Sequence, residues 1–392
     1  MEAAQVNRHE QRIETLRASM ERAAVDAVLL TPSGDMEFIT GLSRPRREPT
    51  ESHTFGDYLQ GVLITPDRVV TIVPYLAHLS VDPQLERLPW LAEDVVHLPD
   101  AQEDPEEGFR PFAALGAAGG TIGLPKHAMA MTVTKLSARY PGLRFMCVEE
   151  LTSPMRMVKD PEDLEAMKRA SLAADHVLRE VVERLHPGIR EVEVYRELDW
   201  QMRLLGVDGT SFNTSLLCGR PGLCVGFGAP VGDPLGRELI EGWVLAFDFG
   251  FVCDGWCSDF GRTVYFGEPT EEMRQAHYLV AEAQRRGIEA LRGGRVTAAE
   301  VDAAARDFLV EAGRGPEFIH RLGHGIGVDV HEHPFLCSTD HTVLRDGMTF
   351  TVEPSLWVNR EYFVRVEDVV VVTPDGGVSL NVTPTFEMTV IA

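Results

Sequence analysis

The sequence predicts two domains, an α/β domain in residues 1–155 and an α+β domain in residues 156–392. Three observations support this fold class. The chain has 392 residues, enough for two domains of ordinary size. Helical and strand patterns alternate in the first part, whereas the second part mixes long helices with paired strands. Residues 151–162 between the two parts have the composition of a connector.

The first domain begins with a predicted helix in residues 8–24, where apolar side chains recur at helical spacing. Short apolar runs bounded by turn residues then predict strands. These runs are residues 27–30, 60–65, 68–73, 121–124 and 143–148. The second and third flank Pro66 and Asp67, which predicts a hairpin, and a helix is expected between the last two.

The second domain begins with a helix that Asp160 caps and Pro161 opens. Helices are predicted at residues 161–185, 191–205, 270–292 and 297–312. Strands are predicted at residues 211–218, 243–252, 256–266, 348–356 and 362–373. Because helices and paired strands are interspersed, this pattern favours an α+β domain over a doubly wound sheet.

The charge of the chain excludes several classes of partner. Lys and Arg total 37 against 60 Asp and Glu, which gives a formal net charge of -23. Nucleic acids and anionic membranes are bound by basic surfaces, so neither is expected as a partner. Six cysteines in a chain of this length do not indicate a disulfide framework, and no apolar run reaches the roughly 20 residues of a membrane span. With a polar N-terminal segment, these features predict a cytoplasmic protein.

The most informative segment is a predicted β-hairpin in residues 243–267. Asp254 and Gly255 are a two-residue type I′ turn signal between β-rich runs. If they form the turn, Cys253 pairs with Trp256, and the register of both strands follows.

This register brings two acidic residues together. Asp248 shares one face of the hairpin with Asp259, at a Cα distance of roughly 7–8 Å. Two aspartates among apolar residues repel each other, and a shared cation removes that repulsion. The alternative interpretation is an exposed strand face that carries two solvated acids.

Three further segments contain possible metal ligands. His324 stands between two glycines, where the backbone can turn tightly and leave the imidazole accessible, and Glu353 and Glu367 each stand in an apolar strand. Taken singly, each has a structural interpretation, but buried carboxylates are rare unless they are paired or bind a metal. With Asp248 and Asp259, they form an oxygen-rich set that suits Mn²⁺ or Co²⁺, with Fe²⁺ or Zn²⁺ as alternatives. Four carboxylates exceed what one ion needs.

These residues resemble a known family. The aspartates Asp248 and Asp259, followed by GHGIGVDVHEHP at 323–334, TVEP at 351–354 and VRVED at 364–368, are similar in order and spacing to the creatinase/aminopeptidase superfamily, which has the pita-bread fold. Within it, the chain most resembles the Xaa-Pro peptidases, aminopeptidase P and prolidase. The resemblance covers nearly the whole chain.

The first domain takes part in this resemblance. It is similar to the accessory domain of that branch, and residues 36–42 resemble one of its usual strands. Arg156 and Lys159, before the first helix of the second domain, are also typical of the family. The resemblance further implies a homodimer.

The resemblance implies two divalent metal ions and a role for each ligand. Asp248 would bind one ion, Asp259 and Glu367 would bridge both, and His324 and Glu353 would complete the second ion. A water activated between the ions would attack the peptide bond before proline.

Four residues would have catalytic roles by the same resemblance. Glu353 would transfer the proton of the attacking water, and His331 would stabilise the scissile amide and the developing oxyanion. His320 resembles a further histidine that lines the pocket, and Arg365 resembles an arginine that braces the acidic ligands. His320, His331 and Arg365 could instead be structural.

One position departs from the family. Xaa-Pro peptidases usually have a histidine upstream of the first aspartate, where this chain has Phe227. The leading hypothesis is an Xaa-Pro dipeptidase or aminopeptidase that acts on short peptides. The alternative is a non-peptidase relative that acts on a small amide or zwitterion, such as an ectoine hydrolase or a related lyase. A third possibility is a binding module derived from the peptidase, which the five intact ligands disfavour.

Overall fold

The computed structural model describes residues 2–44, 55–223 and 236–392. The chain divides into two compact units, Met1–Arg156 and Met157–Ala392. The first has an α/β architecture and the second an α+β architecture, so the predicted fold class is confirmed.

The first unit is built on a six-stranded sheet. In spatial order, its strands are Val95–Leu98, Val69–Pro74, Gly61–Ile64, Ala27–Leu30, Thr121–Leu124 and Arg144–Cys147. The strand Gly61–Ile64 pairs antiparallel with Val69–Pro74 on one side and with Ala27–Leu30 on the other. The remaining strands join in parallel, one beside Val69–Pro74 and two beyond Ala27–Leu30. Each predicted strand of this unit and the predicted hairpin are present.

Helices cover this sheet. They are Glu2–Ala23, Gly34–Thr40, His78–Leu85, Pro89–Ala92, Glu106–Phe109, Ala113–Ala118, Ala130–Arg139 and Glu149–Arg156. Aliphatic and aromatic side chains from the sheet and helices, among them Leu29, Phe112 and Leu136, form one buried core.

One expectation for this unit is wrong. Residues 36–42, expected as a strand, lie mostly in the helix Gly34–Thr40. The helix begins because the side chain of Ser33 accepts a hydrogen bond from the backbone of Met36. It ends at Gly41, whose φ of 79° is left-handed. The predicted connector, residues 151–162, contains the boundary between the two units. Its first part lies in the helix Glu149–Arg156, whose Arg156 pairs with buried Asp35 at 2.9 Å.

The second unit contains two larger sheets and several small ones. The first has the strands Thr389–Ile391, Phe260–Phe266, Val244–Phe249 and Ser215–Gly219 in spatial order. The second has Glu332–Leu336, Gly323–Gly325, Thr349–Val352, Asp368–Thr373 and Gly376–Ser379. Smaller sheets pair Ser355–Val358 with Tyr362–Arg365, Glu238–Leu239 with Ile189–Arg190, and Phe251–Cys253 with both Trp256–Cys257 and Gly209–Thr210.

Four long helices pack around these sheets. They are Pro161–Val182, Glu191–Leu205, Glu271–Ala290 and Ala298–Glu311. Asp160 caps the first helix, as predicted, and accepts hydrogen bonds from the backbone of Glu162 and Asp163. Apolar side chains from the helix faces and the sheets form two large buried clusters. Polar side chains lie at the junctions between the strands.

Among the described residues, no helix is long and apolar enough to cross a membrane. None of the five cysteines in that part of the chain is in a disulfide bond.

Candidate metal centre

The hairpin in residues 243–267 folds in the predicted register. Cys253 pairs with Trp256 across the turn. Asp254 and Gly255 have φ angles of 50° and 82°, which is the left-handed pair that a type I′ turn requires. The local turn signal therefore determines which side chains lie on each face.

The same register brings the first acids together. Asp248 pairs with Gly261, and the backbone of Glu367 forms a bridge to the same glycine. A Cβ atom at position 261 would lie 2.9 Å from both Cδ of Arg365 and Oε2 of Glu367. A glycine at this position therefore lets these side chains approach Asp248. One oxygen each from Asp248, Asp259 and Glu367 lie within 4.8 Å of one another.

His324 lies in the short strand Gly323–Gly325, and its side chain is buried. The expectation of a tight turn with an accessible imidazole is wrong. The preceding glycine permits close strand packing, because a Cβ atom at position 323 would lie 1.9 Å from the carbonyl oxygen of Thr351. The hydroxyl of Thr351 in turn accepts a hydrogen bond from the backbone N–H of His324 at 3.0 Å.

The hydrogen bonds of His324 orient its ring for metal binding. Nδ1 donates to the carbonyl oxygen of Gly325 at 3.0 Å, since a carbonyl can only accept. Nε2 lies 3.5 Å from Asp259 and 3.4 Å from Glu353. Burial lowers the pKa of His324, but the hydrogen bond to Asp259 and the nearby acids raise the pKa more, so the net shift is upward. A metal ion would take the place of the Nε2 proton.

Arg365 is a buried cation within this group of acids. Its Nη1 contacts Asp248 and lies 3.5 Å from Oε2 of Glu367, and its Nη2 lies 3.5 Å from Oε2 of Glu353. Its Nε donates to the hydroxyl of Ser355 at 2.8 Å. One guanidinium thus touches three carboxylates and is held in place by a hydroxyl.

Glu353 lies between two strands, and its carboxylate is fixed from both sides. The hydroxyl of Thr351 donates to Oε1 at 3.2 Å. Burial would raise the pKa of Glu353, but the charges of Arg365 and then of His324 outweigh it and lower the pKa below its usual range. This carboxylate is therefore maintained in its ionised form.

The carboxylates of Asp248, Asp259 and Glu367 have too few hydrogen-bond donors and too little positive charge around them in the protein. Oδ1 of Asp259 and Oε2 of Glu367 are buried and accept no hydrogen bond. Burial, and after it the neighbouring acids, raises the pKa of Glu367 well above its usual range. Burial also raises the pKa of Asp248 to about 7, although Arg365 opposes this. Buried oxygens that lack donors and repel one another fit hard divalent cations, which would supply the missing positive charge.

Two more histidines face the same space. Nδ1 of His320 donates to the carbonyl oxygen of Arg321 at 2.7 Å, which leaves its buried Nε2 with no hydrogen-bond partner. Burial lowers the pKa of His320 and of His331, so both favour the neutral form. The ring of His331 lies 4.2 Å from that of His324, centroid to centroid, and is exposed to solvent.

All eight side chains singled out from the sequence line one cavity of about 520 Å³. They are Asp248, Asp259, His320, His324, His331, Glu353, Arg365 and Glu367. Sequence reasoning missed the rest of the lining, which is largely apolar. It includes Phe212, Ile319, Val330, Trp357 and Phe363. Only the apolar strands around the two glutamates indicated that such walls would be present.

Two protein-family models match this chain. Residues 165–374 match the model of metallopeptidase family M24, and residues 12–158 match the creatinase/prolidase N-terminal domain. The chain belongs to metallopeptidase family M24. The resemblance inferred from the motifs is therefore confirmed.

Relatives match this M24 protein over part of the chain or over nearly all of it. An Xaa-Pro dipeptidase from Pyrococcus furiosus is 33% identical over 61% of this chain and 67% of its own length. An Xaa-Pro dipeptidase from Pyrococcus horikoshii is 26% identical over 95% of this chain and 97% of its own. The crystal structure of recombinant prolidase from Thermococcus sibiricus has a TM-score of 0.83 and 26% identity, and covers 98% of this chain and 99% of that one.

Phe227, the departure from the family pattern, lies outside the described residues of this M24 protein. Its consequence for the site therefore stays a prediction from the sequence.

Proposed function

We propose that this M24 protein is a dinuclear metal-dependent hydrolase that cleaves the peptide bond before proline in short peptides. One observation carries the proposal: four acidic side chains and three histidines surround a single cavity, and buried carboxylate oxygens there accept no hydrogen bond. The Xaa-Pro dipeptidase from Pyrococcus horikoshii and the prolidase from Thermococcus sibiricus, which match nearly the whole chain, support the choice of bond.

The proposed ligands are divided between two ions. Asp248 would bind one ion, Asp259 and Glu367 would bridge both, and His324 and Glu353 would complete the second. Mn²⁺ and Co²⁺ suit this carboxylate-rich set best, with Fe²⁺ and Zn²⁺ as alternatives. When bound, such ions polarise the peptide carbonyl and lower the pKa of a water molecule.

The protein's own side chains would move protons and position the substrate. Glu353, held ionised by Arg365, would accept the proton of the attacking water and pass it to the leaving nitrogen. His331, exposed beside His324, would donate a hydrogen bond to the developing oxyanion. His320 would use the lone pair on its unpartnered Nε2 to accept a hydrogen bond from the substrate. Arg365 would hold the acidic ligands in place.

The apolar wall supports a short, compact substrate. Trp357 and Phe363 stack with ring centroids 5.5 Å apart and an interplanar angle of 12°. A flat aromatic surface beside the acids accommodates the apolar ring of a proline without leaving polar groups unpaired. The cavity volume of about 520 Å³ is in the range of sites that enclose small ligands.

A second function is favoured by Phe227. A phenylalanine cannot donate the hydrogen bond that the usual histidine offers a peptide. A non-peptidase relative that acts on a small amide or zwitterion, as an ectoine hydrolase or a related lyase does, would use Phe227 as an apolar pocket wall.

One set of kinetic measurements separates these two functions. We expect Mn²⁺- or Co²⁺-loaded wild type to cleave Xaa-Pro dipeptides, and Phe227→His to raise kcat/KM by about 5- to 150-fold, since a substrate hydrogen bond contributes roughly 1–3 kcal/mol. The panel should contain Xaa-Pro dipeptides, matched Xaa-Ala dipeptides, longer Xaa-Pro peptides and cyclic amides. No Xaa-Pro cleavage with either metal, together with no gain in Phe227→His, would reject the peptidase and leave the second function.

We also infer that the chain forms a homodimer and works in the cytoplasm. The family resemblance supports the dimer, and exposed apolar side chains such as Trp200 and Leu204, one helical turn apart, offer surface for a second copy. Five described cysteines without a disulfide bond support a reducing compartment.

The dimer predicts a simple result in solution. Light scattering at micromolar concentration should give twice the chain mass of 43.4 kDa. A mass equal to that of one chain across this concentration range would rule the dimer out.

A further inference from the structure

A second group of possible metal ligands lies in the first unit. His78 and Asp82 lie one turn apart on the helix His78–Leu85, and His97 lies on the strand Val95–Leu98. One possible ligand atom from each of the three residues lies within 4.8 Å of the others. The two imidazole rings stack, with centroids 4.1 Å apart and an interplanar angle of 27°.

The carboxylate of Asp82 contacts both histidines. Nδ1 of His78 is 3.1 Å from Oδ2 of Asp82, and Nε2 of His97 is 3.4 Å from Oδ1. Bonds of 2.0–2.1 Å to a tetrahedral ion place neighbouring ligand atoms about 3.3 Å apart. The two spacings in the structure, each to a different oxygen of Asp82, are close to that value, and one ligand atom of each residue lies within 4.8 Å of the others. Side-chain rotations would therefore bring both imidazoles and the carboxylate onto one ion.

The side chains also leave room for an ion to enter and keep further ligands. The exposed fractions are 27% for His78, 45% for Asp82 and 47% for His97. Two imidazoles and one carboxylate are a softer set than the four carboxylates and one imidazole of the cavity. Such a set prefers Zn²⁺, Cu²⁺ or Ni²⁺ over Mn²⁺.

We propose that His78, Asp82 and His97 form an accessory zinc site in the first unit, with a water molecule as the remaining ligand. The strand Val95–Leu98 is at the edge of the six-stranded sheet. A bound zinc ion joins the helix that carries His78 to this edge strand. Zinc therefore stabilises the accessory unit, and it does so without any part in the reaction at the cavity.

The number of bound zinc ions tests this site directly. Wild type, His97→Ala and Asp82→Asn are saturated with ZnCl₂, dialysed and analysed for zinc per chain, with His127→Ala as the control. His127 is an exposed histidine of the same unit outside the group. We expect both group variants to bind one zinc ion fewer than wild type, and His127→Ala to bind as many.

The difference in count does not depend on how many ions the cavity holds, because the cavity is unchanged in these variants. Zinc should also raise the Tm of wild type more than that of either group variant. If either His97→Ala or Asp82→Asn retains the wild-type count, the accessory site does not exist. Should His97→Ala fail to fold by circular dichroism, Asp82→Asn, which keeps both imidazoles and the size of the side chain, decides the question alone.

Discussion

Asp259→Asn should lower kcat/KM by at least about 100-fold. Replacing a residue that only supports a metal ligand already lowers activity or metal affinity by about 10–100-fold, and Asp259 would itself be a ligand. Asp259 is buried beside Glu367 and His324, and its Oδ1 accepts no hydrogen bond from the protein. An amide has the same shape but lacks the charge needed to bridge two cations. The variant should fold normally, since an amide removes like-charge repulsion among buried acids.

The matched control is Asp254→Asn in the turn of the same hairpin. Asp254 is exposed and forms a surface ion pair with Arg169, and asparagine tolerates its positive φ. We expect activity within twofold of wild type, in keeping with the small effect of a surface pair. Retention of a tenth or more of wild-type turnover by Asp259→Asn, with unchanged metal content, would contradict the bridging role.

Arg365→Met should destabilise the metal-free protein by about 3–5 kcal/mol, the usual cost of removing one partner of a buried ion pair. The buried guanidinium contacts Asp248 and lies near Glu353 and Glu367. Without it, the acids are left with less positive charge nearby. The free energy of unfolding should be measured by urea titration of chelator-treated protein at pH 8.

The pKa of Asp248 determines the choice of pH. Burial raises the pKa of Asp248 to about 7, so the folded protein holds a proton there that the unfolded chain releases near pH 4. The stability from that proton is present at low pH and is lost as the pH rises through about 7. At pH 8 the carboxyl of the wild type is ionised, so the ion pair that Arg365→Met removes is fully charged.

The control for this prediction is Arg274→Met, which removes an exposed arginine that pairs with Glu268. Arg274→Met should lower the free energy of unfolding by no more than about 1 kcal/mol. Added Mn²⁺ should recover part of the stability of Arg365→Met, because the ions bind the folded state. If Arg365→Met unfolds with the same free energy as Arg274→Met, the guanidinium does not stabilise the acidic cluster.

Much of the site was predictable because local signals set its geometry. The turn residues Asp254 and Gly255 determined the hairpin register, and period-two alternation then placed Asp248 and Asp259 on one face. The motifs around His324, Glu353 and Glu367 supplied the remaining acidic and imidazole side chains. These residues are far apart in the chain, but their order and spacing resembled the family's motifs. In the fold they line one cavity.

The errors have local physical causes. Residues 36–42 resembled a strand of the family's accessory domain, but the Ser33 cap and the left-handed Gly41 define a helix of seven residues, Gly34–Thr40. His324 was expected in a turn because glycines flank it. Gly323 is instead required by the approach of Thr351 on the neighbouring strand, which the sequence does not reveal.

Contacts between distant segments could not be predicted from single positions. Gly261 leaves the space through which Arg365 and Glu367 reach Asp248, yet in the sequence it is an ordinary glycine in a strand. The apolar wall of Trp357 and Phe363 forms because two strands pair, with these two residues opposite each other. Such features depend on tertiary packing, so they became visible only in the structure.

The central claim is that the cavity binds two metal ions, and anomalous X-ray scattering from crystals of Mn²⁺-loaded protein tests it most directly. We predict two manganese peaks about 3.5–4 Å apart, the spacing of ions that share a bridging carboxylate. One peak should adjoin Asp248 and the other His324, with Asp259 and Glu367 touching both. A single peak, or none, at saturating Mn²⁺ would contradict the dinuclear site.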